Sequence, residues 1–300
     1  MQRKSAKKKS SMYSINSDRP LDPTTVAILR TVDGVTKARG LTYFVVGATA
    51  RDILLTHVHG LRATRATKDV DFALAVESWT HFNEIRDELS RIAGFRVSDD
   101  IQHRLYYQVA DQPPYPLDLV PFGGVATPEH LVGWPPDMKT LMNVAGYPEV
   151  AEAAEQIEVA EGLVVNVASL SGLALLKLFA WQDRWEESTK DADDLLTLMR
   201  AYTDAGNFDR IFELGDDLLT ELGYDTDDAG ALLLGKDIAT LARPDTYAQC
   251  IRILETPDLL DRLSIHMART RANVDEAMAL ATRTLKLFRR GLNSPDKMPG

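Results

Sequence analysis

The stretch "FVVGATARDILL", Phe44 to Leu55, runs from apolar residues through small ones into a helical pattern. The apolar run before it, "YFVVG", reads as a buried strand. Gly47, Ala48, Thr49 and Ala50 then form a turn, and "ATARDILLTHVHG" reads as a short helix. A turn just before a helix N-terminus presents free backbone N–H groups and a partial positive charge to an anion. A single glycine serves a plain strand-to-helix turn equally well, so the meaning of the stretch depends on the residues downstream.

The next informative segment is "TKDVDFAL", residues 67–74. Strand side chains alternate between faces, so Asp69 and Asp71 share one face while Val70 and Phe72 take the other. Neighbouring carboxylates repel, and cations between them relieve the repulsion. Oxygen ligands at this spacing suit Mg²⁺, which takes one or two carboxylates and completes its shell with water and substrate phosphate. A third acid stands in "YPLDLVPF", where Asp118 alternates with Leu117 and Leu119 in an otherwise apolar strand. Such a carboxylate is costly unless it is satisfied or functional. If the two strands are neighbours, three carboxylates converge, the arrangement that two-metal nucleotidyl transfer needs. Asp69, Asp71 and Asp118 are therefore the candidate metal ligands and catalytic acids, with Mg²⁺ the expected ion and Mn²⁺ its substitute.

The surrounding elements emerge from periodicity and breakers. "PTTVAILRTVDGVTKARG" has helical spacing, with Thr24 or Thr25 as N-cap and Gly40 as the stop. "KDVDFALAV" alternates as a strand. "ESWTHFNEIRDELSRIAG" is an amphipathic helix carrying Trp79, Phe82, Ile85, Leu89 and Ile92 on one face. "LYYQVA" and "LDLVPF" read as hairpin arms around Asp111-Gln112-Pro113-Pro114. "GLVVNVAS" is a further strand. From Ser169 the pattern is helical almost to the end. This gives an α/β (α+β) half and an α-helical half: residues 1–20 as a basic disordered tail, 21–168 as the α/β core and 169–300 as the helical domain.

Composition narrows the class. The chain has 300 residues, 45% of them apolar, enough for a large core in one or two domains. Its single cysteine, Cys250, allows no internal disulfide and fits a reducing, cytoplasmic setting. No apolar run approaches the roughly 20 residues that span a bilayer, so no membrane partner is expected. The net charge of −10 argues against broad coating of nucleic acid but leaves room for local basic patches. Arg3, Lys4, Lys7, Lys8 and Lys9 make the N-terminus such a patch, either a solubilising tail or an arm for phosphate backbones. His57 and His59 flank Val58, too few N or S ligands for Zn²⁺.

With these residues placed, the chain resembles the DNA-polymerase-β-type nucleotidyltransferase superfamily. The superfamily pattern is a Gly-Gly or Gly-Ser turn on a helix, Asp-x-Asp on the next strand and a third carboxylate on a later one. Gly47-Ala48, Asp69 with Asp71, and Asp118 hold those places here. Ala48 stands where Gly or Ser is usual, and Thr49 is the candidate to supply the missing hydroxyl. "VVGATARDILL" followed by "KDVDFAL" also looks like the start of CCA-adding enzymes and bacterial poly(A) polymerases. Their Arg-Arg-Asp-Phe-Thr-Ile-Asn-like motif is missing, and "THVHGLRATRAT" lengthens the spacing.

The better resemblance is to the AbiEii/AbiGii-type nucleotidyltransferases, toxin halves of bacterial toxin–antitoxin and phage-defence pairs. "LALLKLFAWQDRWEESTKDADDLLTLM" is similar to their helical motif, which places Lys177, Lys190, Asp191 and Asp194. The resemblance implies a polymerase-β-like nucleotidyltransferase core with a mixed sheet and a helical domain behind it. It also implies transfer of NMP from an NTP to an RNA acceptor, a tRNA 3′ end above all, with an antitoxin as partner. The expected catalytic set is Asp69, Asp71, Asp118 and Lys177. The expected nucleotide-binding set is Gly47, Ala48, Thr49, Arg51, Lys68, Lys190, Asp191 and Asp194. Arg62 and Arg65 beside Lys68 are further candidates for phosphate. Two alternatives stand beside this: the same chemistry on a small molecule or protein, and a non-catalytic nucleotide-binding module.

Overall fold

A computed structural model describes residues 12–62, 69–269 and 273–294. Its frame is an eight-stranded mixed sheet in the order β1-β9-β10-β2-β3-β6-β5-β4. In chain order the strands are β1 (Tyr13–Ser14), β2 (Tyr43–Val46), β3 (Val70–Val76), β4 (Phe95–Val97), β5 (Arg104–Tyr107) and β6 (Tyr115–Gly123). A separate two-stranded ribbon is formed by β7 (Leu131–Gly133) and β8 (Leu141–Asn143), and β9 (Glu155–Ala160) and β10 (Leu163–Val167) complete the set. The helices of this half are α1 (Pro23–Ala38), α2 (Gly47–Asp52), α3 (Trp79–Arg91) and α4 (Tyr147–Glu152). A π-helical turn, Ile53–Val58, extends α2. From Leu170 the described residues are mainly helical: α5 (Leu170–Arg184), α6 (Lys190–Ala201), α7 (Asp216–Glu221), α8 (Thr226–Leu241), α9 (Pro244–Glu255), α10 (Pro257–Ala268) and α11 (Val274–Leu292). Mixed sheet first and helices afterwards is the order the sequence patterns predict.

The centre of the sheet is built from the most apolar strands. All of β2 is buried, and Phe44 and Phe72 are wholly enclosed. Burying a side chain of that size stabilises the fold by roughly 1.5–3 kcal/mol. Strand β3 lies antiparallel to β2 and parallel to β6, which places Asp71 opposite Asp118. A parallel pair needs a long crossover, and α3 provides it between β3 and β6. Ser78 caps α3 by accepting from the His81 N–H, and Phe82, Ile85 and Leu89 form its buried face. Trp79, Phe82 and Trp134 then make a ring cluster with centroids 5.1–5.8 Å apart.

Two local expectations change. Helix α1 is capped by Asp22, whose carboxylate accepts from the N–H groups of Thr24 and Thr25. Pro23 occupies the first turn, where its missing N–H costs nothing, so the cap falls one residue before it. Gly40 does lie just beyond the helix end, in the left-handed conformation. Of the expected tail, residues 1–11 lie outside the described residues. Tyr13 and Ser14 pair parallel with Ile157 and Glu158 on the sheet edge. That register could not be read from the tail's polar composition.

The helical half closes against the sheet through one continuous buried cluster. Ser169 starts α5 by accepting from the Gly172 N–H, and the helix is buried on most sides. Helices α8 and α11 cross closely enough that a Cβ on Gly235 would stand 2.7 Å from the Leu292 nitrogen. No described helix is long and apolar enough to cross a membrane.

Candidate active site

Gly47 opens the site. Its φ is +67°, a conformation that favours glycine, and a Cβ there would lie 3.0 Å from Asp71 Cγ and overlap Oδ2. The glycine therefore allows the turn and the Asp71 carboxylate to come together. Asp69 sits exposed just before β3, while Asp71 lies within it, half-buried. The Thr49 hydroxyl donates to the Asp69 carbonyl at 2.6 Å. This bond ties the turn to the segment that bears Asp69.

Asp118 stands in register with Asp71 on the neighbouring strand, about 4.8 Å away by strand spacing. Burial, joined by the charges of Asp118 and Asp69, pushes the Asp71 carboxyl up to about 7. Arg104, opposite Asp118 on β5, holds that carboxylate through two bonds of 2.7 Å, Nε to Oδ1 and Nη2 to Oδ2. His103 Nε2 is 3.9 Å from Asp118 Oδ2, and its ring lies 5.0 Å from that of Trp134. Burial lowers the His103 pKa more than Asp118 raises it, which favours the neutral imidazole.

Lys177 reaches the same region from α5. Its ammonium is 2.9 Å from Asp191 and 2.7 Å from Asp194, both in the first turns of α6. These two acids are only 1% and 2% exposed, which makes their cationic partners indispensable. Arg184 donates to both oxygens of Asp191, at 2.6 and 3.0 Å. Burial pushes Asp191 up, but Arg184 and Lys177 outweigh it and hold the carboxyl below its usual range. Arg51 pairs with Asp194 and with Asp52, and is itself 2% exposed. Burial lowers its pKa, and the two acids more than restore it.

The sequence-derived set thus separates by location. Gly47, Ala48, Asp69, Asp71 and Asp118 gather around the turn and the two central strands. Arg51, Asp191 and Asp194 form a buried ionic network with Lys177. Lys190 is exposed at the start of α6, its N–H bonded to Ser188 Oγ. Lys68 and Arg65 lie outside the described residues; Arg62 is exposed. Sequence reasoning missed Arg104, Arg184 and Tyr147. Burial first, then the charge of Asp71, raises the Tyr147 pKa. Tyr147 also stacks with Phe44 and Phe122 beneath the site, at 6.2 and 5.8 Å. For Arg104 a signal existed: it lies one residue before the "LYYQVA" arm of the hairpin whose other arm holds Asp118.

The sequence model of the family described as "Nucleotidyl transferase AbiEii toxin, Type IV TA system" matches residues 40–279. The chain belongs to the AbiEii family. It is a nucleotidyltransferase, and the matched span includes every site residue described above. Among curated proteins, none matches this AbiEii chain significantly. Solved structures with some likeness include ANT(2")-Ia in complex with adenylyl-2"-tobramycin, at 17% identity, with 68% of this chain and 97% of that one covered and a TM-score of 0.33. An antigenic nucleotidyltransferase-like protein from Paracoccidioides brasiliensis is 13% identical, with coverage of 70% and 94% and a TM-score of 0.41. The Thermotoga maritima CCA-adding enzyme complexed with tRNA is 13% identical, with coverage of 94% and 86% and a TM-score of 0.25.

Among the described residues, no group of three or more His, Cys, Asp or Glu side chains already forms a metal cage. The donor chemistry nevertheless fits a hard divalent cation. Asp71 is burdened by burial and by two acidic neighbours, and a cation relieves that burden as a proton does.

Proposed function

We propose that this AbiEii-family enzyme transfers NMP from an NTP to the 3′-hydroxyl of an RNA, a tRNA 3′ end in the first place. Growth inhibition is then the outcome, and an antitoxin the restraining partner. The observation that carries the reading is Asp71, set against Gly47 and in register with Asp118. Asp69, Asp71 and Asp118 would hold Mg²⁺, or Mn²⁺ in its place. Bound there, the ion would neutralise charge on the triphosphate and lower the pKa of the attacking hydroxyl.

The chain's own residues do the rest. The Gly47–Ala48 backbone offers N–H groups to the β- and γ-phosphates. Lys177, aimed by Asp191 and Asp194, adds a positive charge on the same side. Lys68 and Lys190 supply outer phosphate contacts. Asp118, oriented by Arg104, takes the proton of the attacking hydroxyl. A bond forms from that oxygen to the α-phosphorus, and the bond to pyrophosphate breaks.

The test is incubation of total RNA with each α-³²P-labelled NTP. Wild type should label RNA at its 3′ end, and Asp71→Asn should label none. Equal labelling by Asp71→Asn would overturn the carboxylate chemistry. A second reading keeps the chemistry and replaces RNA with a cationic small molecule or a protein. The net charge of −10 favours it, and partition of the label among the three fractions decides between them.

A further inference from the structure

The sheet face that bears Asp71 and Asp118 continues outward past the carboxylates. Arg104 stands opposite Asp118. Tyr106, two residues along β5, shares the face of Arg104. Arg96, on β4, is the register partner of Tyr106 and therefore shares that face too. The Arg96 guanidinium lies over the Tyr106 ring, 4.4 Å from its centroid.

The opposite face of these two strands is largely covered. Phe95 and Leu105 are buried there, the tilted rings of Phe95 and Tyr107 meet at 4.6 Å, α3 packs against β4, and Val97 at the strand end is exposed. The Arg96–Tyr106 face is different: Arg96 is exposed and Tyr106 half-buried. Strand β4 ends the sheet, so the row Asp71–Asp118–Arg104–Tyr106–Arg96 runs from the carboxylates to an open edge.

We infer that this strip is the track for the acceptor strand, a binding surface for single-stranded polynucleotide leading its 3′ end to the carboxylates. The inference rests on the RNA-acceptor reading above. Arg96 stacked on one aromatic ring matches what such a strand offers, a phosphate for the cation and base faces for the ring and the stacked guanidinium, while Arg104 stays bound to Asp118. A cationic small molecule would meet Arg96 as a like charge. A local cationic strip is also what an acidic protein needs in order to hold an anionic polymer at one place only.

The test separates binding from chemistry. The probe is a fluorescein-labelled single-stranded RNA with a free 3′-hydroxyl, titrated by anisotropy in metal-free buffer at several salt concentrations. Arg96→Gln should reduce the salt slope by about 0.7, the loss of one phosphate contact. Tyr106→Ala should weaken binding about tenfold, and Tyr106→Phe should keep it, because stacking needs the ring and not the hydroxyl. In transfer assays the first two variants should raise KM for RNA and leave KM for NTP unchanged. Circular dichroism melts confirm folding; Arg96 is exposed, so its variant should melt with wild type.

Wild type that labels RNA while all three variants bind and transfer equally would overturn the track and leave the proposed function standing. Equal losses from Tyr106→Phe and Tyr106→Ala would overturn it too, since the hydroxyl and not the ring would then carry the binding. Wild type that labels a protein or small molecule, with no strip-dependent RNA binding, would overturn both.

Discussion

Replacing Gly47 with alanine should separate the two things this glycine does. At φ +67° an alanine pays the left-handed penalty, about 1–2 kcal/mol. Its Cβ would also lie 3.0 Å from Asp71 Cγ, where two carbons rest at about 3.5–4.0 Å. Oδ2 lies closer still, so the Asp71 carboxylate must withdraw or rotate by more than about 1 Å. Its escape is restricted because β3 is paired on both sides, with β2 and β6. A misplacement of about 1 Å at a reacting centre costs on the order of 10²-fold in rate. The expected outcome is a modest fall in urea stability, about 1–2 kcal/mol, with a loss of transfer rate near a hundredfold at saturating NTP. Urea melts and labelled-NTP transfer on the same preparation measure both. A variant that transfers at the wild-type rate would refute the reasoning, because the approach of Gly47 to Asp71 would then have no catalytic meaning.

Other perturbations probe the rest of the site. In metal-free buffer, Asp71 has a carboxyl near 7 in the folded state and about 3.9 unfolded. Between those values the folded state keeps a proton that the unfolded chain has lost, so stability should fall by a few kcal/mol as pH rises from about 4 to 7. Asp71→Asn should remove that slope and Mg²⁺ should flatten it; a slope identical in wild type and Asp71→Asn would exclude the assignment. Asp194→Ala removes the buried carboxylate that Arg51 and Lys177 share, leaving them Asp52 and Asp191, and should cost about 1.5–3 kcal/mol in urea unfolding. A cost under about 1 kcal/mol would show that the scaffold is dispensable. Arg104→Gln should tighten Mn²⁺ binding, read by electron paramagnetic resonance, about tenfold, because the ion no longer displaces a two-point guanidinium from Asp118. Unchanged or weaker binding would mean that Arg104 does not compete for that carboxylate.

Much of the fold was legible because its signals are local. The run Tyr43–Val46 is apolar throughout, and the β3 and β6 patterns alternate, so strands and the faces of their acids could be read residue by residue. The neighbouring of β3 and β6 was a condition in the sequence and became a register in the structure, Asp71 opposite Asp118. The ionic scaffold was not legible. Arg51 and Asp194 are 143 residues apart, and nothing in either neighbourhood specifies the other. Asp191 and Asp194 entered through the family resemblance as nucleotide-binding candidates, and their burial could not be read, because acids are favoured in the first turn of any helix. The bond of Thr49 was not legible for a related reason: a hydroxyl in a turn has many acceptors, and the one chosen here, the Asp69 carbonyl, depends on where β3 begins.

The Arg51–Asp194 pair joins the turn after β2 to the helix that holds Lys177 in place. Each residue belongs to a different half of the chain, and each has a second partner in its own half, Asp52 for Arg51 and Lys177 for Asp194. The halves are thus not freely interchangeable parts. A chimera that takes its helices from a relative keeps this tie between the turn and α6 when the donor brings an acid for Arg51, and otherwise buries the arginine with Asp52 as the partner left from its own half. Recombination within such a lineage is confined to cuts that keep the pair together, whatever the sequence between them tolerates.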